Sequence, residues 1–245
     1  FGEKHWLTIA ALRDFGYAYR QAGAAGEAQT FYSLALSAAE EALGTEHPQT
    51  IEIVSLLGEL YTAAGMAQDA VSTREMAVAS ATAGLGADHP VTVGARLALV
   101  QTLKQFGRYD AAIAESVDLC GDIEGAYGRF HTYSLKCQET VADIEFTTGK
   151  LGEAEKTLLL IADLIGRSLP TVDGQWLGNL AELAELYRQQ GRYQESKDLL
   201  SSTIGLALQT GNVESSYLGK SYLGRVLADE GDYQHAATVT KEVLD

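Results

Sequence analysis

Glycine returns at a fixed interval along this chain, and that interval constrains the fold more than any other feature. One series occupies positions 2, 44, 86 and 128, so that successive members lie 42 residues apart. A second series keeps the same spacing from 23 to 191 and then takes a step of 40 residues to 231. A fixed interval of this length is typical of arrays of similar structural units. The sequence therefore predicts six repeats, near 1–43, 44–85, 86–127, 128–169, 170–210 and 211–245.

Each repeat contains two segments with the periodicity of an amphipathic helix. In the second repeat the first segment covers 50–64, where Ile51, Val54 and Leu57 recur every third residue. A glycine follows, and glycine readily takes the positive φ at which many helices end. The second segment covers 68–85 and ends in the same way. Helices this short need to pack on neighbours, so the sequence predicts an all-α solenoid of stacked helix-turn-helix repeats.

The residues inside each repeat resemble those of the tetratricopeptide repeat family. That family has leucine followed by a small residue in the first helix, a tyrosine three residues later and an alanine in the second helix. In the second repeat these residues are Leu57, Gly58, Tyr61 and Ala70. The 42-residue interval and the junction LG-x-x-HP-x-T are similar to the kinesin light chain subtype and to the sensor arrays of NLR-like NTPases.

The resemblance covers essentially the whole chain and implies its architecture. We expect a right-handed α-solenoid superhelix of six tetratricopeptide helix-turn-helix units, in one domain over residues 1–245. The first residue aligns with the end of a second helix, and the last repeat stops within its second helix. We therefore interpret the sequence as a fragment of a longer protein.

Four of the five histidines lie in octets at the junctions between repeats: FGEKHWLT, LGTEHPQT, LGADHPVT and YGRFHTYS. In LGTEHPQT, Gly44 is predicted to end one helix, Pro48 to resist its continuation and Thr50 to cap the next. His47 is expected to hydrogen-bond nearby backbone in the turn. Packed helices lie about 8–10 Å apart, whereas zinc ligands lie about 2 Å from the ion. We therefore interpret the histidines as architectural and predict no metal site.

Composition restricts the classes of function that remain. The net charge is −15, from 33 acidic and 18 basic residues, and such a surface repels nucleic acids and anionic lipids. No apolar run in the sequence approaches the roughly 18 residues that a membrane span needs. Cys120 and Cys137 are expected to be buried free thiols in a reducing compartment, which predicts a cytoplasmic location. HExxH, GxSxG and paired CxxC motifs are absent from the sequence, so we predict neither catalysis nor a cofactor.

The resemblance also implies a binding surface, because the first helices of tetratricopeptide arrays line a concave groove. At matching positions the residues predicted to contact a ligand are Arg13, Tyr17, Arg20, Lys104, Lys136, Phe146, Arg188 and Arg225. The acidic residues at such positions are Glu52, Glu59, Glu139, Asp143 and Glu185. Bases are thus concentrated there on an acidic chain, which favours an acidic peptide. The alternative interpretation is a solvated helix face whose charges pair with one another.

Three hypotheses about function remain open. The preferred one is a non-catalytic module that binds a protein or peptide in the concave groove and acts as a sensor or scaffold. The second is a receptor for a signalling peptide or small molecule that changes its superhelical pitch on binding. The third, and least favoured, is an enzyme with its chemistry hidden in the groove. The identity of the partner and the oligomeric state stay open.

Overall fold

The structure is a computed structural model that describes residues 5–168 and 174–244. In these ranges the chain forms twelve α-helices and no strand. They are α1 (Trp6–Gln21), α2 (Ala25–Leu43), α3 (Pro48–Ala63), α4 (Ala67–Leu85), α5 (Pro90–Gln105), α6 (Tyr109–Tyr127), α7 (Thr132–Thr147), α8 (Leu151–Ser168), α9 (Gly174–Gln189), α10 (Tyr193–Gln209), α11 (Val213–Glu230) and α12 (Tyr233–Leu244). We call the odd-numbered helices A helices and the even-numbered ones B helices.

The chain divides into two compact units, an N-terminal unit over 1–126 and a C-terminal unit over 127–245. In the N-terminal unit, each helix from α1 to α4 packs on the helix that follows it. The C-terminal unit repeats this order from α7 to α12, and its A helices α9 and α11 also pack on each other. This packing confirms the predicted all-α solenoid of paired helices. A single domain over 1–245 stays a prediction.

The octets form junctions between helix pairs, but the capping residue is the histidine. Helix α3 begins at Pro48, and Nδ1 of His47 accepts a hydrogen bond from the backbone N–H of Gln49 at 3.3 Å. Thr50 lies inside the first turn, where its hydroxyl donates to the carbonyl of Gly44 at 2.8 Å. The prediction that Thr50 caps α3 is wrong. The helix already begins at Pro48, and the imidazole of His47 accepts the free N–H of Gln49.

The same histidine cap is found at the other three junctions. Nδ1 of His5, His89 and His131 each accepts a hydrogen bond at 3.2 Å from the N–H of the residue two positions later. Serine, threonine, aspartate and asparagine usually supply this acceptor, and here the imidazole ring does so. The histidines therefore hold the start of four A helices. Among the described residues, no group of three His, Cys, Asp or Glu side chains is placed to hold a metal ion.

Small residues allow the A and B helices to approach closely. A Cβ atom added to Gly16 of α1 would lie 2.5 Å from the ring of Tyr32 on α2, which is fully buried. Gly58 of α3 takes the corresponding place against Arg74 of α4, with 3.0 Å to the Arg74 side chain. At both crossings a long side chain of the B helix therefore lies directly on the backbone of the A helix.

Apolar side chains between the helices form the core of each unit. The clusters of the N-terminal unit join α1, α2 and α3 through buried residues: Ile9, Ala28, Tyr32, Ala35, Ala39, Ile53, Leu57 and Leu60. Those of the C-terminal unit join α7 to α11 in the same way: Leu135, Ala142, Ala154, Leu158, Ile161, Leu164, Ala181, Leu183, Ala184, Leu186, Leu200 and Val226. Between 5 and 168 and between 174 and 244, none of the helices has the length and hydropathy to cross a membrane.

One charged group belongs to the interior of the N-terminal unit. Arg96 of α5 is 9% exposed, and its Nε and Nη1 atoms donate to Glu115 and Asp122 of α6, each at 2.5 Å. Burial lowers the pKa of Arg96, but the two carboxylates outweigh burial and the pKa is raised. The guanidinium therefore stays charged and ties α5 to α6.

The two cysteines differ from the expectation. Cys120 and Cys137 are both buried, at 5% and 0% exposure, and both are disulfide-bonded. The prediction of free thiols is wrong, because disulfide formation depends on the distance and direction of the Cβ atoms, which the sequence does not give. A cytoplasmic location stays a prediction, without the support that free thiols would have provided.

Replacing His47 with alanine is expected to lower the free energy of unfolding by about 0.5–2 kcal/mol, because the N–H of Gln49 loses its acceptor. His47→Asn should keep most of the stability, since asparagine is a good capping residue. Chemical denaturation of both variants measures the difference. An equal loss in the two variants would contradict the capping role.

Gly16→Ala is expected to lower the free energy of unfolding by about 1–3 kcal/mol, because the new methyl group meets the buried ring of Tyr32. Gly94→Ala is the matched control, since Gly94 is also helical and a Cβ atom there meets nothing within 4 Å. The control should be neutral or stabilising by up to about 1 kcal/mol. If denaturation curves gave Gly16→Ala and Gly94→Ala the same free energy of unfolding, the crossing between α1 and α2 would not be tight.

Candidate functional site: the A-helix surface

We call the face of the A helices that carries the predicted ligand residues the A-helix surface. In the N-terminal unit it is formed by α1, α3 and α5, and in the C-terminal unit by α7, α9 and α11. The first holds Arg13, Tyr17, Arg20 and Lys104, and the second holds Lys136, Phe146, Arg188 and Arg225. The two parts are described separately.

Two arginines of α1 reach across to α3. Nη1 of Arg13 donates to Glu52 at 3.1 Å, while its Nη2 donates to the neighbouring Asp14 at 2.9 Å. Arg20 forms an ion pair with Glu59 two turns further along α3. The hydrogen bond to Asp14 raises the pKa of Arg13, and the hydrogen bond to Glu59 raises the pKa of Arg20. Both guanidinium groups are therefore charged and held in fixed positions.

Two B-helix residues that the sequence analysis missed lie next to the charged groups of this surface. Arg74 of α4 lies over Gly58, and its Nη1 donates to the backbone carbonyl of Ser55 at 3.2 Å. Burial lowers the pKa of Arg74, and Glu59 opposes this effect. Burial raises the pKa of Tyr32, which Arg20 partly offsets. Tyr32 and Arg74 thus lie close enough to the charged groups of α1 and α3 to interact with them.

The remaining predicted residues of the N-terminal unit differ in exposure. Tyr17 is 49% exposed, and the guanidinium carbon of Arg20 lies 5.2 Å from the centre of its ring. Lys104 is half-buried on α5. A polar contact joins α5 to α3, because Nε2 of Gln105 on α5 donates to the carbonyl of Thr62 on α3 at 3.4 Å. The surface therefore combines an exposed aromatic ring with fixed cations.

In the C-terminal unit, Arg188 connects two A helices. Its Nη2 atom donates to Glu185 on α9 at 2.6 Å, and its Nη1 atom pairs with Asp229 on α11. The hydrogen bonds to Glu185 and then Asp229 raise the pKa of Arg188. Asn179 of α9 is buried and donates to Glu139 of α7 at 3.1 Å. Polar side chains thus join all three A helices of this unit.

A cleft of about 190 Å³ opens on the same surface of the C-terminal unit. Its lining combines three carboxylates with apolar side chains: Asp143, Glu182, Glu185, Ala142, Phe146, Leu158 and Tyr222. Phe146 was predicted as a ligand residue, whereas Glu182 and Tyr222 were not. Arg225 is exposed, with its guanidinium 5.1 Å from the centre of the Tyr222 ring. Lys136 is exposed on α7.

The structure thus brings three predicted arginines against acids of the next A helix. Arg13, Arg20 and Arg188 each pair with a carboxylate about one repeat further along the chain. The sequence contains this signal, because bases and acids recur at nearly the repeat interval on the same helix face. Pairing of this kind is what the alternative interpretation expected, and it also fixes the orientation of the guanidinium groups.

Comparison with known proteins adds the family. The model of the tetratricopeptide repeat family matches residues 7–83. This match covers the first two of the six predicted repeats. No curated protein sequence matches the chain.

Solved structures share the fold of this chain over most of its length. A Podosopora anserina protein of kinesin light chain type, with nearly identical TPR-like repeats, is 23% identical, with a TM-score of 0.68, over 80% of this chain and 94% of that chain. BtubC (BKLC) from P. vanneervenii is 15% identical, with a TM-score of 0.67, and the match covers 96% of this chain and 87% of that chain. A Rap protein complexed with competence and sporulation factor is 11% identical, with a TM-score of 0.59, and the match covers 98% of this chain and 74% of that chain. These likenesses show the fold, an all-α solenoid of paired helices.

The pair between Arg188 and Asp229 can be measured by a double-mutant cycle with Arg188→Met and Asp229→Ala. We expect a coupling energy of about 0.2–1 kcal/mol in thermal or chemical unfolding, because the pair is partly exposed to solvent. Added salt should reduce the coupling. A coupling energy of zero at low salt would show that the pair does not hold the guanidinium in place.

Proposed function

We propose that this protein is a non-catalytic binding module whose A-helix surface holds a segment of another protein, as a sensor or scaffold. The observation that carries the proposal is that ion pairs between successive A helices orient Arg13 and Arg20 in the N-terminal unit and Arg188 in the C-terminal unit. A guanidinium has five donors in a planar fork, and groups already held in place lose little conformational entropy when a ligand binds. Such a surface suits an extended peptide that carries carboxylates.

The predicted ligand residues keep separate roles in this proposal. Arg13, Arg20, Lys104 and Arg188 bind acidic groups, while Tyr17 and Phe146 offer aromatic surface. Tyr17 is exposed and Phe146 lines the cleft of the C-terminal unit. Lys136 and Arg225 are exposed and provide further cations along the surface. Binding through charge-assisted hydrogen bonds would give the specificity, and the aromatic rings would add buried area.

A receptor for a signalling peptide is the second candidate. The observation that favours it is the likeness in fold to the Rap protein that was solved in complex with competence and sporulation factor. A receptor of this type changes shape on binding, whereas a scaffold does not need to. Small-angle X-ray scattering with and without bound peptide separates the two, and an unchanged scattering curve favours the scaffold.

The double charge reversal Lys104→Glu and Arg188→Glu tests the binding surface. On an array of acidic and neutral peptides, we expect binding of acidic peptides to weaken by about tenfold or more, because two attractive contacts become repulsive. The matched control reverses Lys156 and Lys241, which are exposed on the B helices α8 and α12, and should bind as the unmodified protein does. Equal losses in the two variants, or unchanged binding in the first, would contradict the proposal.

A further inference from the structure

We propose that the cleft of the C-terminal unit binds a lysine side chain of a bound protein segment. The carboxylates of Asp143 and Glu182 accept hydrogen bonds from the lysine ammonium group, and the rings of Phe146 and Tyr222 contact the ammonium and its aliphatic stem. This inference deepens the proposed function and rests on it, because it adds a basic ligand group to the acidic ones that the A-helix surface is proposed to bind.

The cleft has the size of a single side chain. Its volume of about 190 Å³ lies below the roughly 300–1,000 Å³ of pockets that hold drug-sized ligands. Its lining comes from α7, α8, α9 and α11, all within the C-terminal unit. The cleft is therefore one continuous space between packed helices, and it suits one side chain of a larger ligand.

The helix crossing of this repeat supplies an apolar wall. Ala142 of α7 takes the place that Gly58 holds two repeats earlier. Leu158 of α8 likewise takes the place of Arg74, whose Nη1 is bonded to the carbonyl of Ser55. Leucine is shorter than arginine and has no polar group. The wall formed by Ala142 and Leu158 therefore offers only apolar contact to a ligand.

Carboxylates supply the charged part of the lining. Asp143 and Glu185 hold equivalent positions on the successive A helices α7 and α9, and Glu182 lies one turn before Glu185. Among the described residues that line the cleft, these three are the charged ones and all are acidic. Carboxylates close to one another disfavour each other's ionised form, and an adjacent cation favours it. The lining therefore favours a cationic ligand group and opposes a carboxylate.

The bonding of Glu185 assigns the ammonium group to the other two carboxylates. Nε and Nη2 of Arg188 donate to the two oxygens of Glu185 at 2.9 and 2.6 Å, so both oxygens are already used. Glu182 is exposed and Asp143 is half-buried, so a ligand can reach both. An ionised carboxylate has about four acceptor sites, so each can accept from a ligand in addition to its contacts within the protein. The three N–H donors of lysine suit two such acceptors.

Aromatic rings favour the same ligand group. Phe146 of α7 and Tyr222 of α11 line the cleft, and both are half-buried. The face of an aromatic ring attracts a cation within about 6 Å of its centre, and the guanidinium carbon of Arg225 already lies 5.1 Å from the centre of the Tyr222 ring. A lysine stem buries along apolar surface while its charged end stays with polar groups. The apolar wall and the rings therefore suit the stem, and the carboxylates suit the ammonium group.

The double variant Asp143→Asn and Glu182→Gln tests the site. The probe is a fluorescent, acetylated and amidated peptide of four lysines separated by glycines. Fluorescence anisotropy should show binding weakened by about tenfold, because both carboxylates lose their charge. The thermal midpoint should hold or rise, since the repulsion between neighbouring carboxylates is removed. If the two carboxylates only stabilised the fold, the midpoint would fall and the affinity would stay unchanged.

The matched control is the double variant Glu40→Gln and Glu75→Gln, because both glutamates are exposed on B helices of the N-terminal unit. It removes the same two negative charges from a chain with a net charge of −15, so it should leave the affinity unchanged when binding is local. A peptide of the same length with ε-acetyl-lysine keeps the stem without the charge, and it should bind at least about tenfold more weakly.

Phe146→Leu provides a second, independent variant. We expect it to weaken binding of the lysine peptide by about two- to fivefold, because the ring no longer contacts the ammonium group. Unchanged affinity in either variant, an equal loss in the control, or equal binding of the acetylated peptide would each overturn the proposal. Displacement of the probe by free n-butylamine as effectively as by unlabelled peptide would assign the cleft to a small amine and would also overturn it. If the reversal of Lys104 and Arg188 weakens binding of acidic peptides while the lysine peptide is unaffected by the cleft variants, the lysine site is wrong and the proposed function still stands.

Discussion

The junction between helix pairs is the constraint on which the rest of the structure depends. A glycine at positive φ ends the B helix, and a histidine three residues later accepts the free N–H at the start of the next A helix, as in the step from Gly44 to His47. The four A helices with a histidine cap therefore start at the same place in their repeats. Because successive A helices have the same phase, equivalent side chains face the same side, and Arg13 and Arg20 meet Glu52 and Glu59 of the following repeat.

The small residue at the helix crossing has two consequences. It allows the A and B helices to pack closely, which is its general role in tetratricopeptide repeats. At Gly58 it also lets the long side chain of Arg74 lie on the backbone of α3, where Nη1 donates to the carbonyl of Ser55. Where it is larger, as at Val100, the B-helix residue remains in the interior. The size of the residue at the crossing thus determines both how closely the two helices pack and where the B-helix side chain lies.

The two units present different chemistry on their A-helix surfaces. In the N-terminal unit Arg13 and Arg20 pair with carboxylates of α3, whereas the cleft of the C-terminal unit is lined by carboxylates beside Phe146 and Tyr222. Carboxylates therefore line the cleft in which Phe146 was predicted to contact a ligand.

The sequence by itself determined the helices, their pairing and the repeat, because periodicity and glycine positions act through neighbouring residues; the predicted helix over 50–64 is observed as Pro48–Ala63. Which A-helix residues contact a ligand stays a prediction. Tertiary structure decided the disulfide bonding of Cys120 and Cys137 and the contact of Arg74 with the backbone of α3. These features depend on the distance between helices, which is fixed by the packing of side chains that are far apart in the sequence.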